Sequence, residues 1–289
     1  MVEKIIFTDF RNDLDINCNG FLIHSLLSNS TINKIDTNEL NNVINKIHQK
    51  EKKAIISIDR LIEEDELDLM KNIISKVINN CDYLIYSDYS ILFYIKNNYH
   101  DQVSKLIYNP KTLVCNIHEF NAIETSSIIS NELTIDQIEN INNYYEDCNK
   151  YLGIKVFGYH QMFYSKRHLI SSYDDYFNNK EIKTNKFYDL EEENRTSRDK
   201  IIETDFGTLI YFGKPLVIYE ELKNLNNFKF YYLNSELFEE DDIKKISFYY
   251  YDYLFNGNNH YKELIELVPN YSKGFLDKKT VLLKGDDDE

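Results

Sequence analysis

The sequence predicts an α/β fold, a TIM-like (β/α) barrel, incomplete or decorated, with an irregular insertion after strand six. Three observations carry this reading. Short β-branched runs alternate with longer helical patterns through most of the chain, and parallel strands need crossovers that helices provide. The 289 residues can bury one large core, and α/β barrels commonly reach this length as one domain. The alternation also breaks at one place only, after residue 173, and short strand-like pieces return beyond it.

The elements follow in order. Residues 4–10 read as a strand and 54–59 (AIISID) as a second, with a helix over 38–50 between them. That helix places Leu40, Val43, Ile44 and Ile47 on one face, and Thr37 can cap its start. A helix over 64–79 leads to a strand at 82–87 (DYLIYS), and a helix over 89–97 to a short strand at 105–108. Pro110 breaks the chain before a helix within 111–122 and a fifth strand at 126–130. The helix over 133–148 has Thr134 as a cap, with acidic and amide residues in its first turns. Residues 152–157 form the sixth strand. The polar stretch 174–206 is the insertion, and strand-like pieces follow at 208–212, 216–219 and 228–233, the barrel resuming near 216. Helices over 241–254 and 260–268 close a single domain spanning 1–289, with an acidic tail at 285–289.

Composition narrows the function. A net charge of −15 opposes a broad phosphate-binding face, because nucleic-acid affinity rests on Lys and Arg releasing counterions. The acidic runs at 63–68, 189–194 and 236–242 read as solvated faces. Neither a GxGxxG nor a GxxxxGK[ST] loop is present. Cys18, Cys81, Cys115 and Cys148 are far apart without a CxxC pair, and the N-terminus lacks a secretory apolar core. Reduced thiols in a cytoplasmic protein follow, with Cys81 and Cys115 as buried small hydrophobes. No apolar run reaches the roughly 20 residues that span a membrane.

The stretch 154–173, IKVFGYHQMFYSKRHLISSY, carries the densest chemistry. Polar groups just past a strand's C-terminal end sit where α/β proteins build ligand sites. Lys166, Arg167 and His168 read either as an anion site or as a loop fixed by pairing with Asp174 or Asp175. Tyr159, Phe163 and Tyr164 offer faces for base stacking or ordinary packing. Asp88 and Glu132 follow predicted strands and read two ways, as barrel-mouth carboxylates or as helix caps. HExxH and GxSxG are both absent, so zinc proteolysis and a serine elbow lack their motifs.

The same stretch resembles the signature of the peptidase U32 family, which in many members reads HG, a few apolar residues, then SGxCLxS. Here the frame reads Phe157-Gly158 and then Ser165-Lys166-Arg167-His168-Leu169-Ile170-Ser171, with His168 where those members carry cysteine. Further segments resemble the family in order and spacing: 109–123 with 130–141 (SNELTIDQIENI), 198–222, and GFLDKKTVLLK at 274–284. The resemblance covers the chain from about residue 38 onward. It implies a β/α barrel with its site at the strand C-termini. Some members are assigned collagenase-like protease activity. Others act in hydroxylation of transfer RNA, ribosomal RNA or ubiquinone precursors, and several hold an iron–sulfur cluster on cysteines. Short members that work beside a longer paralogue in 5-hydroxyuridine formation on tRNA look closest in length and ending.

The expectation is therefore a subunit or accessory factor in tRNA uridine 5-hydroxylation, acting with a cluster-bearing U32 paralogue and reaching tRNA through that complex. The alternatives are a collagenase-like peptidase and a catalytically inactive barrel serving as a scaffold. With His168 at the cysteine position, no iron–sulfur cluster is expected on this chain. The candidate catalytic residues are Glu132, His160 and His168. The candidate substrate- or anion-binding residues are Ser165, Lys166, Arg167, Asp88 and Tyr164, and no metal-ligand set is assigned.

Overall fold

The structure is a computed structural model, and it describes residues 2–146, 149–177, 183–191 and 198–277. The chain opens with β1 (Ile5–Asp9) and β2 (Gly20–His24), which pair in parallel although no helix links them. Helix α1 (Leu40–Gln49) leads to β3 (Lys53–Ile58), α2 (Leu67–Val77) to β4 (Tyr83–Tyr86), and α3 (Tyr89–Asn98) to β5 (Leu106–Tyr108). Helix α4 (Ile117–Ala122) then precedes β6 (Ser126–Ile128), and α5 (Ile135–Asn143) precedes β7 (Leu152–Gly158). Thr134 caps α5 through a capping box with Gln137, as its position suggests.

After β7 the chain leaves the barrel. Strand β8 (Gln161–Ser165), helix α6 (Leu169–Phe177) and strands β9 (Tyr188–Leu190), β10 (Asp199–Thr204) and β11 (Gly207–Tyr211) make a separate antiparallel sheet, ordered β8-β11-β10-β9. The two-residue β12 (Leu216–Val217) then runs antiparallel to the end of β7, and β13 (Phe228–Leu233) pairs in parallel with both β7 and β1. Strands β1 to β7 and β13 therefore close an eight-stranded parallel barrel, to which β12 is an addition. Helices α7 (Glu240–Asn256) and α8 (Tyr261–Leu267) follow.

Several expectations change. The run GFLIH at 20–24 is a barrel strand beyond those the sequence predicts, so the strand at 152–157 is seventh around the barrel rather than sixth. The excursion starts at Gln161, ahead of 174, and is built on a regular sheet rather than irregular chain. The piece at 208–212 belongs to that sheet, and 216–219 supplies only the antiparallel addition. Cys115 is exposed, whereas Cys18 and Cys81 are buried. Cys148 and the acidic tail at 285–289 lie outside the described residues.

Two cores flank the strands. Ile6, Ile23, Ile56, Leu84, Leu106 and Ile154 face the helices, while Ile5, Phe7, Leu22, Ile55, Ile85, Ile107, Ile128 and Phe230 fill the barrel. This is the two-residue alternation of a strand buried on both faces. Gly153 is needed inside, because a Cβ there would lie 3.0 Å from Ile128 and 3.1 Å from Phe230. Toward the C-terminal ends the inward positions turn polar: Asp9 follows Phe7, His24 follows Leu22, and Ser57 follows Ile55. That polar layer is the floor of the site.

Candidate functional site

The barrel mouth holds a buried network of charges. Asp9, ending β1, is 1% exposed and His24, ending β2, is 3% exposed. The His24 Nε2–H donates to Asp9 Oδ1 at 2.9 Å, and Nδ1–H donates to Ser28 Oγ at 2.9 Å. Ser28 in turn donates to Asp59 Oδ1 at 2.9 Å, joined there by Ser57 Oγ at 2.7 Å and the Asn29 amide at 3.0 Å. Lys111 Nζ lies 3.4 Å from Asp59 Oδ2. Charge thus alternates along a line that runs from buried Asp9 and His24 through half-buried Asp59 to Lys111.

The electrostatics follow from this wiring. Burial pushes the Asp9 carboxyl upward, but His24, the Ser235 amide at 2.6 Å and the Tyr232 hydroxyl at 2.7 Å hold it below the ordinary carboxylate value. Burial pulls His24 down, and the bond and charge of Asp9, with Asp59 and Glu236 behind, raise it instead. Asp59 is also lowered: Lys111, the Asn29 amide, His24 and Ser57 outweigh its burial. Each sign is that of a charged form stabilised by its neighbours.

A second set of groups faces this line across a cavity of about 60 Å³. Lys155 projects inward from β7, is 8% exposed, and donates to the Tyr159 carbonyl. Its ammonium is pulled down to about 8, chiefly by burial. His160 is pulled down to about 3 by burial and by the charges of Lys155 and Lys111, so the ring is neutral. Glu236, 5% exposed, accepts from the Ser30 hydroxyl at 2.8 Å and from the Thr31 amide at 2.6 Å. Gln161 Oε1 accepts from Lys111 at 2.9 Å and Asn29 at 3.3 Å. Asn29 Oδ1, Asn131 Oδ1, Asn234 Oδ1 and His160 Nε2 are buried without a protein partner, and all four residues line the cavity. Unpartnered buried polar atoms that converge on one space mark a place for a polar ligand.

Local chain geometry brings these groups together. Gly158 has φ +105°, and a Cβ there would sit 2.3 Å from the Asn234 carbonyl oxygen. Only glycine lets the chain turn off β7 against β13 and carry Tyr159, His160 and Gln161 over the mouth. Lys111 also sits in the left-handed region at φ 70°, an uncommon conformation for a side chain with a Cβ. The excursion roofs the site. Phe206 in the β10–β11 turn lies beneath Lys34 Nζ at 3.5 Å and the buried Arg60 guanidinium at 3.9 Å, and Tyr211 lines the cavity beside Glu236. A groove of about 230 Å³, lined by Leu61, Pro110, Met162, Phe163 and Tyr164, shares Asn29, Asp59, Lys111 and Gln161 with the inner cavity.

The residues singled out in the sequence scatter over this landscape. His160 lines the cavity, and Glu132 stands at the rim with its carboxylate 3.9 Å from His160 Nε2. Asp88 caps α3 by accepting from the Ser90 amide at 2.8 Å and also takes the Ile62 amide at 3.0 Å. Tyr164 lines the outer groove and donates to the Phe206 carbonyl at 3.0 Å. Ser165, Lys166, Arg167 and His168 form the turn from β8 into α6, away from the cavity. There the Ser165 hydroxyl accepts from the Arg167 amide at 3.1 Å, Lys166 pairs with Glu63 at 2.6 Å, and His168 lies 3.5 Å from Glu203. Asp9, His24, Asp59, Lys111, Lys155 and Glu236 went unnoticed in the sequence. Asp9, His24 and Asp59 end or directly follow apolar strands and Lys155 interrupts one, whereas Lys111 and Glu236 lie in loops three residues past theirs and carry no local signal.

An iron–sulfur cluster needs converging thiolates, and the described cysteines do not provide them. Cys18 and Cys81 precede β2 and β4 at the opposite end of the barrel, with burial pushing both thiols up to about 12. Cys115 lies alone beyond β5. Among the described residues no group of three His, Cys, Asp or Glu can hold a metal ion.

Fold and site together define a decorated β/α barrel with a polar centre at the C-terminal ends of its strands, the usual address of barrel chemistry. The chain belongs to peptidase family U32, whose model matches residues 29–256. Among solved structures, it is similar to the U32 peptidase Mk0906 at 8% identity and a TM-score of 0.48, covering 81% of this chain and 93% of that one. The Bacillus cereus spore cortex-lytic enzyme SleL is similar at 8% identity and a TM-score of 0.37, covering 86% and 75%. None of the curated proteins matches. No described helix is long and apolar enough to cross a membrane.

Proposed function

We propose that this chain is a cluster-free subunit of a tRNA uridine 5-hydroxylation system, acting with a cluster-bearing U32 paralogue that brings it to tRNA. Family membership supplies the class, and the likeness of the chain's segments to short members supplies the particular reaction. The observation that carries the reading is the pairing of a built, charged cavity with a signature turn that holds His168 against Glu203 instead of a thiolate. Such a cavity suits a small polar co-substrate, which argues for a working site rather than a bare scaffold. An acidic chain depends on its partner for RNA affinity.

Asp9, His24 and Ser28 stand in hydrogen-bonded line, an order that favours the peptidase alternative at first sight. Ser28 is fully buried and gives its proton to Asp59, so its oxygen does not face a substrate. Deleting the gene and measuring tRNA nucleosides by mass spectrometry tests the proposal. Loss of 5-hydroxyuridine derivatives, restored by the wild-type chain but not by Glu236→Gln, is the expected result. Unchanged levels in an organism that makes them would overturn it. Gelatin hydrolysis abolished by Ser28→Ala would establish the peptidase instead.

A further inference from the structure

We propose that Lys155 is a nucleophilic amine that forms a protonated imine with a short hydroxylated aldehyde or ketone bound in the barrel mouth. The geometry is that of an enclosed, addressable amine. Lys155 stands on β7 with its side chain in the polar layer and lines the inner cavity. Its Nζ donates to the Tyr159 carbonyl, and among the described residues it forms no ion pair. The charged and titratable groups that face it come from several strand ends. Glu236 stands across the cavity beyond β13, Lys111 lies beyond β5, Asp9 ends β1, and neutral His160 follows β7.

Desolvation and the nearby Lys111 bring the amine to about 8, so a useful fraction is unprotonated near neutrality. Desolvated lysines of this kind are the ones that serve as Schiff-base nucleophiles. The unpartnered oxygens of Asn29, Asn131 and Asn234 call for hydrogen-bond donors, which hydroxyl groups on the ligand supply. The size of the inner cavity, about 60 Å³, selects two or three carbons, while the connected groove leaves a path of entry.

The step balances without a redox partner. The ammonium gives one proton to Glu236, and the free amine attacks the carbonyl carbon. A carbon–nitrogen bond forms as the carbonyl π pair moves to oxygen, which takes a second proton from nitrogen. The hydroxyl then departs with the proton returned by Glu236, leaving water and the protonated imine.

This inference stands apart from the hydroxylation reading, because it is measured on the purified full-length chain without tRNA or a partner. The chain is incubated with glycolaldehyde and sodium cyanoborohydride between pH 6 and 9, digested, and mapped by mass spectrometry. The expected result is a reduced adduct on Lys155 at least tenfold faster than on any other lysine. Its rate should fall as the pH drops below about 8. Glu236→Gln should slow labelling at Lys155 while leaving the surface lysines unchanged. Labelling spread evenly over surface lysines, with Lys155 not enriched in the wild-type chain, would overturn the proposal. That outcome is read on the native protein and does not depend on any variant folding.

Discussion

At the scale of single residues, the decisive fact is that buried charges come in alternating order. Asp9 and His24 are each nearly inaccessible, and neither is tolerable in the barrel without the other. Asp9→Asn leaves His24 without its counter-charge and should cost about 3–5 kcal/mol, the usual result of breaking a buried pair. Urea midpoints against pH check this. His24 is raised above its ordinary 6.5, so its contribution is complete below that value and fades as pH rises through the higher folded value. Asp9 is lowered below 3.8, so its contribution is present above that value and fades as pH falls through the lower folded value. The wild-type excess over Asp9→Asn should therefore be largest between about pH 4 and 6.5 and shrink on either side; a pH-independent difference would refute the assignment. His160 illustrates the opposite case, a ring kept neutral by burial and two lysines. Its position after an apolar strand was readable from the sequence, but its neutrality depends on Lys155 and Lys111, the latter about fifty residues away in the chain.

At the scale of elements, the site depends on how β7 ends. The turn at Gly158 sends the chain from the barrel into the excursion while passing against the Asn234 carbonyl. Gly158→Ala combines a positive φ with that contact and should destabilise the protein by about 2 kcal/mol or more. Denaturant melts give the magnitude, and faster hydrogen exchange in β7, β8 and β13 should accompany it. The helices were legible because their apolar spacing is self-contained: Val43, Ile44 and Ile47 in α1 are all buried. Strand β2 was not, since a short apolar run, Phe21 to Ile23, after a polar loop looks like any short buried run, and no helix precedes it to signal a β/α unit. The sheet of the excursion is illegible in the sequence for a related reason. Its strands alternate poorly, with Met162 at 40% and Phe163 at 43% exposure, so β8 shows no clean amphipathic period.

At the scale of the whole molecule, the net charge of −15 sets how the chain meets a polyanion. Purified alone, it should not retain tRNA on a filter at physiological salt, and a cluster-bearing U32 partner should bring retention with it. Tight, salt-sensitive binding by the isolated chain would contradict that expectation. The sequence by itself determined the barrel class, the family and most of the helix positions, because periodicity and local motifs act over one element at a time. Only the tertiary structure decided where the chemistry lies. Closing eight strands sets the ends of β1, β2, β3, β7 and β13 around one cavity and gathers Asp9, His24, Asp59, Lys155 and Glu236 from across the chain. The turn at 165–168, the most conspicuous chemistry in the sequence, is carried outward on the excursion. Burial and charge pairing are properties of that closed arrangement, so no window of the sequence contains them.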